Sequence, residues 1–181
     1  MLKKIVYPVV ASFLIACAAV HGSEEETLKD VETFLAEAFV DAAPARKVLW
    51  VNDELREEVR QFIGYDLDQL RIRYWAAGSR TAWILEEIGK ERPITMGIVV
   101  NGDEISNVSI LVYRESRGAE VQYDFFTKQF LKANLVKNTK RYELSESIDG
   151  ITGATLSVRA VKKVATLALF LHQQTPYALN G

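Results

Sequence analysis

The chain has 181 residues, 49% of them hydrophobic and 25% charged, with a formal net charge of −2. That composition suits one globular domain with some additional helix and excludes a disordered chain. It offers no basic excess for nucleic acid, and a single cysteine excludes an internal disulfide.

Lys3 and Lys4 precede an apolar run from Ile5 to Val20, and the chain then turns acidic at Ser23-Glu24-Glu25-Glu26. This is the layout of a secretory signal over residues 1–22. The run is about 16 residues, shorter than the roughly 20 that a spanning helix takes, and it contains Pro8. Two readings of its end stand side by side. Leu14-Ile15-Ala16-Cys17 resembles a bacterial lipobox, with residues 1–16 removed and Cys17 lipidated as an anchor; the other reading is ordinary cleavage after Gly22. Both place the working protein outside the cytoplasm, in a bacterial periplasm or on the outer face of a membrane.

Residues 23–65 read as an N-terminal helical extension. Ser23 and Glu26 form a capping box, and Val31, Phe34, Leu35, Ala38 and Phe39 recur on one helical face up to Ala43-Pro44. A second helix carries Leu55, Val59, Phe62 and Ile63, with Asn52 or Asp53 as cap and Gly64 as stop.

From residue 66 the period changes to two. Leu70, Ile72 and Tyr74 alternate with charged or wide residues, Gly78-Ser79 turns the chain, and Thr81, Trp83 and Leu85 follow as a second strand. Thr95 to Val100 makes a third strand, Asn101-Gly102 a hairpin turn, and Ile105 to Tyr113 a fourth. Phe125, Phe126 and Phe130 read as helical. A closing helix starts near Thr155, with Val161, Val164, Ala165, Ala168 and Leu171 as its buried stripe. The expected fold is therefore α+β: an antiparallel meander of about four strands with N-terminal helices and a C-terminal helix packed on it.

Conventional catalytic sets are missing. There is no CxxCH, no cysteine cluster and no Walker loop, and the only histidines are His21 and His172. His172, in the last helical turn, reads as a complement to the helix dipole. The sequence Asp149-Gly150-Ile151-Thr152-Gly153-Ala154-Thr155 puts small residues before a helix, with Thr155 as its N-cap. Such a stretch commonly just starts a helix, although the free N–H groups there also suit an anion.

Asp149 to Thr155 matches the pattern Asp-x-x-Ser/Thr-Gly-Ala-Ser/Thr and so resembles the flavinylation motif of the FMN-binding domain family. That family includes the C subunit of the sodium-pumping NADH:quinone oxidoreductase and the G subunit of the Rnf complex. Met96 to Ile105 is similar to the family's hairpin, Glu115-Ser116-Arg117-Gly118 to its Glu-Thr-Pro-Gly stretch, and Gln129-Phe130 to its Gln-Phe. Arg117 stands where the proline is usual. The resemblance implies an FMN-binding domain over residues 66–175, with FMN joined by a phosphoester to the Thr155 hydroxyl. It implies Asp149, Thr152, Gly153 and Ala154 as recognition residues, and Glu115, Ser116 and Gly118 as a loop near the isoalloxazine. It also implies a separate flavin transferase, which takes FMN from FAD with magnesium and releases AMP. The function that follows is an electron-transfer flavoprotein serving membrane or periplasmic redox proteins, not a standalone enzyme. A flavin-free exported binding or assembly module of the same fold is the alternative.

Overall fold

The computed structural model describes residues 26–138 and 141–178. Ser23, Cys17 and the signal segment lie outside these. Strands β2 (Ala45–Trp50), β3 (Arg71–Ala77), β4 (Arg80–Ile88), β5 (Pro93–Asn101) and β6 (Glu104–Tyr113) follow one another as an antiparallel meander. A short β1 (Glu26–Thr27) closes the far edge by pairing with Tyr113 and Val112 of β6. The α+β reading holds, with six strands rather than four.

The meander is built by turns that its sequence announces. Gly78 and Gly102 both take positive φ, 59° and 61°, at the two tight turns, where a side chain would be strained. β5 lies in the middle of the sheet, and Ile94 through Val100 are buried on both faces.

α1 (Val31–Ala38) crosses one face on its way from β1 to β2. It begins later than the capping box suggested. Glu26 is in a strand, and the cap is Asp30, whose carboxylate accepts from the Thr33 N–H at 2.8 Å. Phe34, Ala38 and Phe39 pack on Ala82, Val99 and Leu111. Phe34 lies directly over Gly97, where a Cβ would come within 2.6 Å of the ring. The segment read as purely helical thus also supplies both edge strands, β1 and β2.

α2 (Asp53–Ile63) and α4 (Thr155–Gln173) cover the other face. α2 is capped by Asn52, which accepts from the Leu55 N–H at 2.8 Å, and is stopped by Gly64 at φ 83°. Val161, Val164, Ala165, Ala168 and Leu171 of α4 are all within 1% of full burial and join Ile72, Trp83, Met96 and Ile98 in the main core. The phenylalanines after Gly118 fall in a single helical turn, α3 (Asp124–Thr127), and a 3₁₀ turn after it. A hairpin that the period did not reveal, β7 (Leu135–Asn138) and β8 (Arg141–Leu144), packs Tyr142 on Phe62 and Phe170. Among the described residues no helix is long and apolar enough to cross a membrane.

His172 corrects the dipole reading. It is fully buried, with Nδ1 2.8 Å from the Thr81 hydroxyl. That hydroxyl also accepts from the Trp83 indole N–H at 2.8 Å, which leaves its proton and a second lone pair for the contact with Nδ1. Nε2 has no hydrogen-bond partner among the described residues. Burial pulls the pKa of His172 below its ordinary 6.5, against smaller upward pulls from Asp103 and Gly102.

Two outcomes follow. The unfolded chain takes up the His172 proton near pH 6.5 and the folded chain resists it, so stability falls as pH drops below 6.5 and levels off below the folded pKa. Urea melts at stepped pH will show this slope in the parent protein, and its His172-dependent part will vanish in His172→Gln. Gly97→Ala will cost about 1–3 kcal/mol through overpacking against Phe34, and Phe34→Leu will recover part of that loss in the double variant, read from urea midpoints.

Candidate functional site

The chain enters α4 through a tight left-handed turn. Gly153 has φ 84°, and the Ala154 N–H donates back to the Ile151 carbonyl at 3.0 Å. Ala154 therefore occupies the N-cap, and Thr155, expected there, is the first helical residue. The physical consequence is that the Thr155 hydroxyl is not used as a cap. No side chain caps this helix, and its first turn contains no acidic residue, whereas α1 and α2 are both capped. The N–H groups of the first turn are left for solvent or a ligand. Thr155 is exposed, while Ala154 beside it is 3% exposed and anchors the turn.

Thr155 stands on a ridge between two clefts. One, of about 480 Å³, is formed by Gly153 to Ser157 together with Lys90, Glu115, Ser116 and Arg117. The other, of about 890 Å³, lies between β8 and α4 and includes Arg141, Tyr142, Arg159, Lys162 and Phe62. Cations thus approach Thr155 from both sides.

The smaller cleft is held together from beneath. Gly118, at φ 85°, lies so close to α4 that a Cβ would meet the Ser157 hydroxyl at 2.7 Å and the Ala154 methyl at 3.2 Å. The Tyr113 hydroxyl donates to the Arg117 carbonyl at 2.6 Å and lies 3.0 Å from the Ser157 hydroxyl. Since its single proton goes to the carbonyl, Ser157 is the donor in the second bond. Burial raises the Tyr113 pKa, only partly opposed by Ser157, so the phenol stays neutral and keeps that proton.

Glu115 serves the backbone. Its Oε1 accepts from three successive N–H groups: Lys90, Glu91 at 2.7 Å and Arg92 at 3.0 Å. Burial alone would raise its pKa, but these bonds and Lys90 outweigh it and hold the carboxyl below the usual range. Gly89 admits the carboxylate, since a Cβ there would be 2.8 Å from Oε1. Glu115 thereby fixes the β4–β5 turn and sets Lys90 at the cleft mouth.

The structure brings Thr155, Gly153, Ala154, Glu115 and Ser116 to one cleft and puts Gly118 behind its wall. Asp149 and Thr152 are exposed on the approach to α4 and line neither cleft; the Asp149 N–H is held by Gln129 at 2.7 Å. Sequence reasoning missed Lys90, Tyr113 and Ser157, which reach the site only through strand pairing and helix packing. No carboxylate or histidine among the described residues hydrogen-bonds Thr155, and no cluster of metal-ligating side chains occurs among them.

Replacing the Glu115 carboxylate by an amide removes the charge that three N–H groups share. In Glu115→Gln the amide protons of residues 90, 91 and 92 will exchange with solvent faster at neutral pH. In the parent protein the same protection, complete above the ordinary carboxyl pKa of 4.5, will fade as pH falls through the lower folded value.

Residues 89–169 match the family model described as the FMN-binding domain. The match begins at the β4–β5 turn and ends near the end of α4, so it contains Glu115, Gly118 and Thr155 and leaves β1 to β4 outside. No curated protein and no solved structure matches the chain.

Proposed function

We propose, from the match of residues 89–169 to the FMN-binding domain model, that the chain carries FMN covalently, through a phosphoester to Thr155, as an extracytoplasmic electron carrier. The observation that carries this reading is the placement of Thr155, an exposed hydroxyl, free of capping duty, at the first position of an uncapped helix and between two cation-bearing clefts.

The residues fit the group. The phosphodiester formed at Thr155 retains one negative charge, which the first-turn N–H groups and the helix dipole would stabilise. Lys90 and Arg117 on one side and Arg159 and Lys162 on the other supply further positive charge. Attachment requires Thr155 to lose its proton, bond to the FMN phosphorus and displace AMP from FAD. Nothing in the chain's own neighbourhood takes that proton. A separate flavin transferase therefore supplies base and magnesium, reading Asp149 and Thr152 on the exposed approach to the helix. Once held, FMN supplies one- and two-electron chemistry, and the chain's part is to bind, orient and tune it.

We take the protein to be a carrier between membrane or periplasmic redox proteins rather than an enzyme. Export, and lipid attachment at Cys17, belong to the same reading. The alternative of a flavin-free module rested on Arg117 replacing proline. Yet the loop is held there by the Arg117 carbonyl, a contact that makes no demand on the side chain.

Co-expression with a flavin transferase tests the proposal. The denatured parent chain will keep in-gel flavin fluorescence and an FMN-sized mass increase on the peptide containing Thr155. Thr155→Ser will retain both and Thr155→Ala will lose both while melting normally. A colourless, unmodified parent chain would overturn the covalent reading and favour the flavin-free module.

A further inference from the structure

The sheet face crossed by α1 is only partly covered. Phe34, Ala38 and Phe39 close it over β4, β5 and β6, with Trp75 and Ala77 of β3 packed at the margin of that cluster, and the rest of the β2–β3 ribbon stands open. Pairing places Trp50 opposite Arg71, Val48 opposite Arg73 and Arg46 opposite Trp75, and strand alternation points all six to this face, since Ile72 and Tyr74 face the main core. Arg46, Arg71 and Arg73 are exposed, and among the described residues no ion pair engages them. Trp50 is 68% and Val48 42% exposed. The nearby acids are mostly satisfied: Asp66 pairs with Arg60, and Glu86 bonds Thr95 and lies 3.7 Å from Arg114. Asp68 remains at the rim of the adjoining groove.

We propose that this ribbon docks the protein on an anionic phospholipid surface, with Trp50 entering the headgroup layer and the three arginines pairing with lipid phosphates. Charge favours this occupant: the six outward positions of the ribbon hold three arginines and no carboxylate, a single sign that suits a uniformly anionic layer of lipid phosphates, and tryptophan is enriched at membrane–water interfaces. Strand addition at the β2 edge is opposed by Arg46 and Lys47 on that edge. The inference uses β2 and β3, outside the FMN-binding match, and stands independently of flavin attachment.

The test is co-sedimentation of the full chain with phosphatidylcholine vesicles, with and without phosphatidylglycerol. The upstream apolar segment is common to all variants, so the reading is the difference between the two vesicle types. The parent chain will prefer the anionic vesicles, and added salt will weaken that preference. Arg46→Gln/Arg71→Gln/Arg73→Gln will lose at least about tenfold of it, each arginine beside such a surface being worth about fivefold. Should that triple variant melt early, Arg71→Gln alone and the salt titration give the same reading. Brominated lipid will quench parent fluorescence more than that of Trp50→Phe. Equal binding to both vesicle types, or an undiminished triple variant, overturns the proposal. So does capture of a polyglutamate peptide without any preference for anionic vesicles, which would assign the ribbon to an acidic protein.

Discussion

The contact between Gly118 and Ser157 is the constraint on which the site depends. A single added carbon at Gly118 would sit 2.7 Å from the Ser157 oxygen and 3.2 Å from the Ala154 methyl, distances at which the first turn of α4 or the side chains on it must shift. Because the position is glycine, the end of β6 can rest directly on the first turn of α4. Tyr113 then reaches both Ser157 and the Arg117 carbonyl, and Glu115, two residues on, gathers the turn between β4 and β5. Three segments far apart in sequence become one rigid collar. None of its bonds involves the Thr155 side chain, which is why that hydroxyl can stand free in the middle of an ordered surface.

Charge is organised around the same point. On a chain with net charge −2, α4 opens without an acidic residue and carries Arg159 and Lys162 on its exposed early turns. Cations near a helix N-terminus oppose the dipole, so helix stability gives no reason for them. The neighbouring acids are committed elsewhere: Glu115 to three N–H groups, and Glu87 to Tyr65 and to Lys163 at 3.0 Å. Glu143 and Glu146 line the larger cleft among its cations, so the positive potential offered to the proposed phosphodiester comes from the first-turn N–H groups and from Lys90 and Arg117 in the smaller cleft.

The strongly periodic parts of the fold were legible. β3 to β6 alternate in sequence, and their turns carry Gly78 and Gly102; α2 shows its cap, face and stop; α4 shows its stripe. The edge strands were not. β2 reads Ala-Arg-Lys-Val-Leu-Trp and is exposed at all but one position, so no buried alternation marks it, and β1 is only two residues long. His172 looked like a surface residue in a last helical turn because Thr81 and Trp83, 91 and 89 positions earlier, are what enclose it. The site divides the same way. Thr155 and its glycine turn were visible because local residue type carries them, although the turn moved the cap back to Ala154. Lys90, Tyr113 and Ser157 carry no local signal at all, since pairing and packing alone bring them together.

The shape of the clefts bears on why a covalent link would be used. Sites that keep a dissociable cofactor enclose most of its surface in a largely apolar pocket. Beside Thr155, Ser116, Arg117, Leu156 and Arg159 are all exposed or nearly so, and the rigid elements lie beneath the ridge rather than around a ring. A flavin resting there would gain charge neutralisation and partial stacking but little enclosure. An open seat of this kind leaves the ring edge accessible for electron exchange and gives weak retention. A bond to Thr155 supplies what the seat lacks, because a tethered ligand meets its site at a local concentration independent of the surroundings. Exposure of the ring and permanence of its attachment would then be two consequences of one feature, a helix that begins with a free hydroxyl instead of a cap.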